Sequence, residues 1–104
     1  MLEAENLLSD RRFTETFVAS RSARGQGPLK IRYELRERGI GDDLAGQAME
    51  GHRQRWCEQA LAARHKRFGV EPPADVRERS RQARFLAQRG FEQDQIRYAL
   101  ESEE

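Results

Sequence analysis

The sequence predicts an all-α protein, built as tandem three-helix repeats in an elongated helical array. Three observations lead there. Helix formers (Arg, Glu, Ala, Leu, Gln) dominate, while Val and Ile are scarce and never alternate. Glycines and prolines cut the chain into helix-sized segments, and one pattern of segments occurs twice. The hydrophobic fraction is only 37% against 36% charged, yet the apolar residues recur at helical spacing, which sets the chain apart from a disordered composition.

Taken in order, a first helix runs from about Asp10 to Arg24 and stops at Gly25. Gly25-Gln26-Gly27-Pro28 is the turn, with Pro28 suited to the first position of a second helix. That helix reaches Arg38 and ends at Gly39 in a left-handed cap. A third starts at Asp42, read as its N-cap, and carries Leu44, Ala45, Ala48 and Met49. His52 to Phe68 reads as a long helix closed by Gly69. Glu71-Pro72-Pro73 is a stiff connector, and Asp75 with Glu78 makes a capping box for a helix ending at Gly90. A last helix spans about Gln93 to Ser102. At the start, Leu2 to Glu5 reads as a final helical turn capped by Asn6, with a restart at Leu7. Residues 1–9 are then the end of a preceding repeat, 10–51 one three-helix repeat and 52–104 the next. The chain is expected to be a fragment or a shortened homologue.

The repeat is legible residue by residue. Leu35, Arg38, Gly39, Asp43, Ala48 and Glu50 recur 51 positions later as Leu86, Arg89, Gly90, Asp94, Ala99 and Glu101. Ile40 becomes Phe91 and Met49 becomes Leu100, keeping their apolar character. Phe13, Val18, Arg21 and Arg24 match Trp56, Leu61, Arg64 and Arg67 at an offset of 43, so the second unit carries an insertion. The expected core comprises Phe13, Phe17, Leu35, Trp56, Leu61, Leu86 and Leu100. On the second helix Pro28, Ile31 and Leu35 share one face, and Leu29 and Tyr33 lie on another beside Arg36. Tyr33 has two readings: packing against the neighbouring unit, or contact with a partner.

The residues exclude most chemistry. His52 and His65 lack cysteine or carboxylate partners at metal-ligand spacing. Cys57 has no histidine three or four residues away, and the serines have no nucleophile context. The glycine-rich turn lacks both a following Lys-Ser/Thr pair and a preceding strand, so it reads as a helix–helix turn, not a nucleotide loop. No catalytic, metal or cofactor site is expected: this is a binding protein and not an enzyme. A single cysteine permits no internal disulfide, and no apolar run is long enough for a membrane span or secretory signal. A cytoplasmic location and no membrane partner are expected.

The net charge of +1 hides an uneven distribution. Arg11, Arg12, Arg21, Arg24, Lys30, Arg32, Arg36 and Arg38 face only Glu15, Glu34 and Glu37. From Phe91 the sign reverses, with Glu92, Asp94, Glu101, Glu103 and Glu104 against Arg97. Arginine far outnumbers lysine, which suits bidentate pairing with carboxylate or phosphate. The plain alternative is a solvated surface of ion pairs.

The run from Arg12 to Arg21 (Arg-Phe-Thr-Glu-Thr-Phe-Val-Ala-Ser-Arg), followed by Gly25 to Leu35, closely resembles the bacterial RecX family of regulatory proteins. So does Arg84-Phe85-Leu86-Ala87-Gln88-Arg89-Gly90-Phe91, with Asp94, Ile96 and the Ala99-Leu100 ending. The likeness covers nearly the whole chain from Leu2, matching the second and third repeats and the end of the first, with Asn6 in place of the usual glycine. It implies tandem three-helix repeats that bind the RecA recombinase filament along its groove and restrain filament growth, ATP hydrolysis and strand exchange. Partner contact is expected at Arg21, Arg24, Lys30, Arg32, Tyr33, Arg36, Arg64, Arg67 and Arg84. RecA is the expected partner, with single- or double-stranded DNA as a further candidate. The alternative is a DNA-binding protein in which the second helix presents Lys30, Arg32, Arg36 and Arg38 to phosphates. A scaffold with no partner of its own is the third reading.

Overall fold

A computed structural model describes the backbone of residues 2–53 and 55–101 and the side chains of residues 9–53 and 55–101. Among them there are six α-helices and no strand: α1 (Leu2–Ala23), α2 (Pro28–Glu37), α3 (Asp42–Glu50), α4 (Arg55–Phe68), α5 (Val76–Gln88) and α6 (Gln93–Glu101). The expected helix breaks coincide with four glycines at positive φ: Gly25 (85°), Gly39 (85°), Gly69 (90°) and Gly90 (98°). This left-handed region is open to glycine because it lacks a Cβ. Ser102, where the last helix was expected to end, and the acidic residues Glu103 and Glu104 lie outside the described residues.

Four local expectations need correction. Helix α1 runs through Asn6 without the expected cap and restart, because no residue there leaves the helical conformation. Helix α3 is capped by Gly41, so Asp42 occupies the first turn, where its charge meets the positive end of the helix dipole. The long helix expected from His52 begins at Arg55. At α5 the Asp75 carboxylate accepts from the Glu78 amide (2.8 Å). The Glu78 side chain instead turns to Arg81 and Gln82, so only half of the expected box forms.

In each unit the first and third helices pack along each other, α1 on α3 and α4 on α6, and the middle helix closes the bundle. Helix α2 buries Pro28, Ile31 and Leu35. One continuous core runs through both units and includes Phe17, Val18, Leu35, Trp56, Leu86 and Leu100. Leu61 is only partly buried. Phe13, expected inside, is 43% exposed, whereas its repeat partner Trp56 is 3% exposed. The difference is positional. Trp56 sits where the first unit adjoins the second, with the His52 ring 5.9 Å away, while Phe13 lines an open recess with Ser9, Arg12 and Thr16.

The two units are joined through their backbones. The amides of Gly27 and Leu29, opening α2, donate to the carbonyls of Arg89 (2.7 Å) and Gly90 (2.9 Å), closing α5. A helix start thus meets a helix end, and each satisfies groups the other leaves unpaired. The approach is close enough that a Cβ on Gly90 would lie 2.5 Å from the Lys30 Cβ. The array measures 58 × 22 × 18 Å with a radius of gyration of 15.7 Å, above the roughly 13 Å of a compact domain this size.

Candidate partner-binding surfaces

The arginines singled out from the sequence fall into three structural groups. The first lies around α2. Helix α2 turns Pro28, Ile31 and Leu35 inward, so Leu29, Tyr33 and Arg36, one turn apart, form its outer stripe. Tyr33 is 59% exposed, which settles its position in favour of the open face. Arg36 pairs with Asp42 (3.1 Å) in full solvent, a contact worth little. Arg24 is exposed, Lys30 and Arg32 are half-buried, and none of the three has a carboxylate partner among the described residues. Arg21 is occupied differently. Its guanidinium lies 4.6 Å from the Phe17 ring centre and 3.9 Å from Glu34, with Arg38 also over Phe17 at 5.1 Å.

The second group is Arg64 alone, and it departs from expectation. Arg64 has no exposed surface; its Nε donates to the Ala99 carbonyl (2.8 Å), and Nη1 donates to the Glu71 carbonyl (3.1 Å) and Gln82 Oε1 (3.2 Å). Burial pushes the guanidinium below its ordinary pKa. The repeat places Arg64 opposite Arg21, but the α4–α6 packing encloses it, so it holds the fold together and offers nothing to a partner.

The third group lies at the far end of the second unit. Phe68, the last residue of α4, meets Phe85 of α5 edge to face, with ring centres 5.3 Å apart at 89°. Arg67 lies over both rings (5.4 and 5.9 Å), Arg81 over Phe68 (5.2 Å) and Arg89 over Phe85 (5.3 Å). Arg84 lines the same recess, of about 210 Å³. Arg67 and Arg84 were expected at a surface; Arg81, Arg89 and the two phenylalanines were not singled out. Their signal was available: Phe85 replaces Glu34 at the equivalent repeat position, and Arg81, Arg84, Phe85 and Gln88 recur at three- and four-residue spacing.

A cleft of about 360 Å³ between the units carries Arg32 and Arg53 opposite Glu50, Glu92 and Asp94. Cys57 lines it, but burial, with Asp94 and Glu58 nearby, pushes the thiol up and away from the reactive thiolate. Among the described residues no three His, Cys, Asp or Glu side chains cluster as metal ligands, and no helix is long and apolar enough to cross a membrane.

Comparison with known families matches both units in order. Residues 9–49 match the second three-helix domain of RecX, and residues 54–100 match the third. The chain belongs to the RecX family. Proteins named regulatory protein RecX from Halorhodospira halophila and Chromohalobacter salexigens are each 50% identical to it, over 98 and 99 residues. These alignments cover 94% and 95% of this chain but 61% and 64% of the relatives. The RecX protein of Serratia proteamaculans is 37% identical over 91 residues, 88% of this chain and 54% of its own. The chain therefore spans about six-tenths of the length of the first two of these RecX proteins.

Proposed function

We propose that this RecX-type chain binds the RecA recombinase filament and restrains its ATPase and strand-exchange activity, using the outer stripe of α2 as one contact. The observation that carries this reading is the α2 face itself: Leu29 and Tyr33 exposed on a rigid helix, flanked by Arg24, Lys30, Arg32 and Arg36. An exposed aromatic beside arginines is the composition found at the energetic centre of protein interfaces. An array 58 Å long can also touch more than one subunit of a polymer, so that weak contacts add through effective concentration.

The same geometry weighs against α2 as a DNA recognition helix. Such helices read bases from their N-terminal turn. Here the Gly27 and Leu29 amides of that turn are bonded to the Arg89 and Gly90 carbonyls, so they are not free to hold a phosphate.

The test compares the parent with a variant carrying Arg24→Ala, Lys30→Ala, Arg32→Ala and Arg36→Ala. Inhibition of DNA-stimulated ATP hydrolysis by RecA is measured, with circular dichroism as the folding control. Each exposed charge contributes about 0–1 kcal/mol, so only the combination is decisive. The variant is expected to stay helical, inhibit less and lose most of the parent's salt dependence. Equal inhibition by a folded variant overturns the α2 contact, and tighter parent binding to bare DNA than to assembled filaments overturns the filament reading.

A further inference from the structure

We propose that the arginine-ringed recess over Phe68 and Phe85 is a second binding site, separate from α2, that takes a carboxylate-rich peptide segment. The argument begins with how the arginines are held. A guanidinium stacked on an aromatic ring keeps its planar face on the ring and leaves its N–H edge pointing outward. The Arg67, Arg81 and Arg89 guanidiniums lie 5.2 to 5.9 Å from the Phe68 and Phe85 ring centres, within cation–π range. The rings themselves pack edge to face, so the guanidiniums beside them have a partner that restricts their freedom before a ligand binds.

The site shows its own ligand preference. Arg81 has a carboxylate within reach and engages both of its oxygens, with Nη1 at 2.8 and 3.1 Å from the Glu78 carboxylate, while remaining stacked on Phe68. Arg67, Arg84 and Arg89 line or overlie the same rings without a carboxylate partner among the described residues. Each offers the kind of edge that Arg81 has already filled. Glu78 is in turn fixed by the Gln82 amide (3.1 Å), so it is not free to serve the other three.

Size and surrounding charge favour carboxylates over a nucleic-acid strand. The recess is about 210 Å³, room for a few side-chain heads. Glu78 sits beside the recess, 2.8 Å from the Arg81 Nη1, in a chain of net charge +1. A continuous phosphate backbone would meet this fixed carboxylate along with the arginines, whereas a short acidic segment needs only the unpaired guanidiniums.

Fluorescein-labelled octaglutamate, titrated with the full chain and followed by anisotropy, tests the site. Changing Arg67, Arg84 and Arg89 together to Gln should weaken binding by about tenfold or more. Changing Arg12, Arg55 and Arg97, exposed and outside both proposed contacts, to Gln removes the same charge elsewhere and should alter it by less than about twofold. Thermal unfolding by circular dichroism accompanies both variants. Phe85→Leu, which keeps an apolar side chain but removes one ring, should weaken binding several-fold without loss of helix. Equal weakening by the two triple variants overturns the site, since overall charge then explains the affinity. Labelled octathymidylate is the competing probe: tighter binding of it, lost in the Arg67/Arg84/Arg89 variant, overturns the carboxylate assignment.

Discussion

The Arg64 Nε–H donates to the Ala99 carbonyl at 2.8 Å, joining α4 to the last turn of α6 with no part of the arginine exposed. Ala99 belongs to the final four residues of α6, whose carbonyls have no partner within the helix. A positive charge at that end also meets the negative pole of the helix dipole. Nη1 reaches the Glu71 carbonyl in the connector and Gln82 on α5, while Nη2 is buried without a partner, so one side chain ties together every helix of the second unit.

Arg64→Met should therefore destabilise the chain far more than an exposed arginine would. It keeps apolar bulk but leaves two buried acceptors, the Ala99 carbonyl and Gln82 Oε1, and the partly buried Glu71 carbonyl without their donor, each buried one costing about 1–3 kcal/mol. Urea unfolding should register a loss of about 3 kcal/mol or more, against less than about 0.5 kcal/mol for Arg24→Met. A loss near that of Arg24→Met would show that the carbonyls find other partners.

The glycines at the helix ends should separate into two kinds. Gly25 and Gly90 both have positive φ, but nothing lies within 4 Å of a Cβ built on Gly25, whereas on Gly90 it meets Lys30 at 2.5 Å. Gly25→Ala should cost about 1–2 kcal/mol from the left-handed conformation alone. Gly90→Ala adds an overpacking cost of about 1–3 kcal/mol at the junction. Equal losses on denaturant unfolding would mean that the junction opens freely.

Phe17 and Phe13 stand one helical turn apart, their ring centres separated by 5.7 Å, yet they should behave differently. Phe17, 8% exposed and flanked by Arg21 and Arg38, should lose about 3–5 kcal/mol on change to Ala. Phe13→Ala should cost about 1 kcal/mol or less, because much of its ring already faces solvent. Comparable losses on urea unfolding would place Phe13 in the core after all.

Glu78 carries a pH prediction. Hydrogen bonds from Gln82 and then Arg81 hold its carboxyl below the ordinary range. A carboxylate whose folded pKa lies below its unfolded one adds stability above the unfolded value, near 4.3, and loses it as pH falls through the folded value. Glu78→Gln should thus lower the urea midpoint at pH 7 and leave it nearly unchanged at a pH below the folded value. An equal drop at both would assign Glu78 a packing role independent of its charge.

Helix order, the four glycine breaks and the two-fold repetition were legible in the amino-acid sequence because each depends on neighbours in the chain. Gly25, Gly39, Gly69 and Gly90 end helices through their own backbone freedom, and Pro28, Ile31 and Leu35 share a face by helical period. Even the repeat alignment, pairing Arg21 with Arg64 and Phe13 with Trp56, was readable there. What each member of those pairs does was decided only in three dimensions. Arg64 is enclosed because α6 returns across α4, bringing a carbonyl 35 residues away against it. Trp56 is covered because the first unit abuts it, while Phe13 has no such cover among the described residues. The ring of arginines around Phe68 and Phe85 forms because the end of α4 meets α5 there. Helical period assigns a side chain to a face, but its burial and partners depend on what the rest of the chain packs against that face.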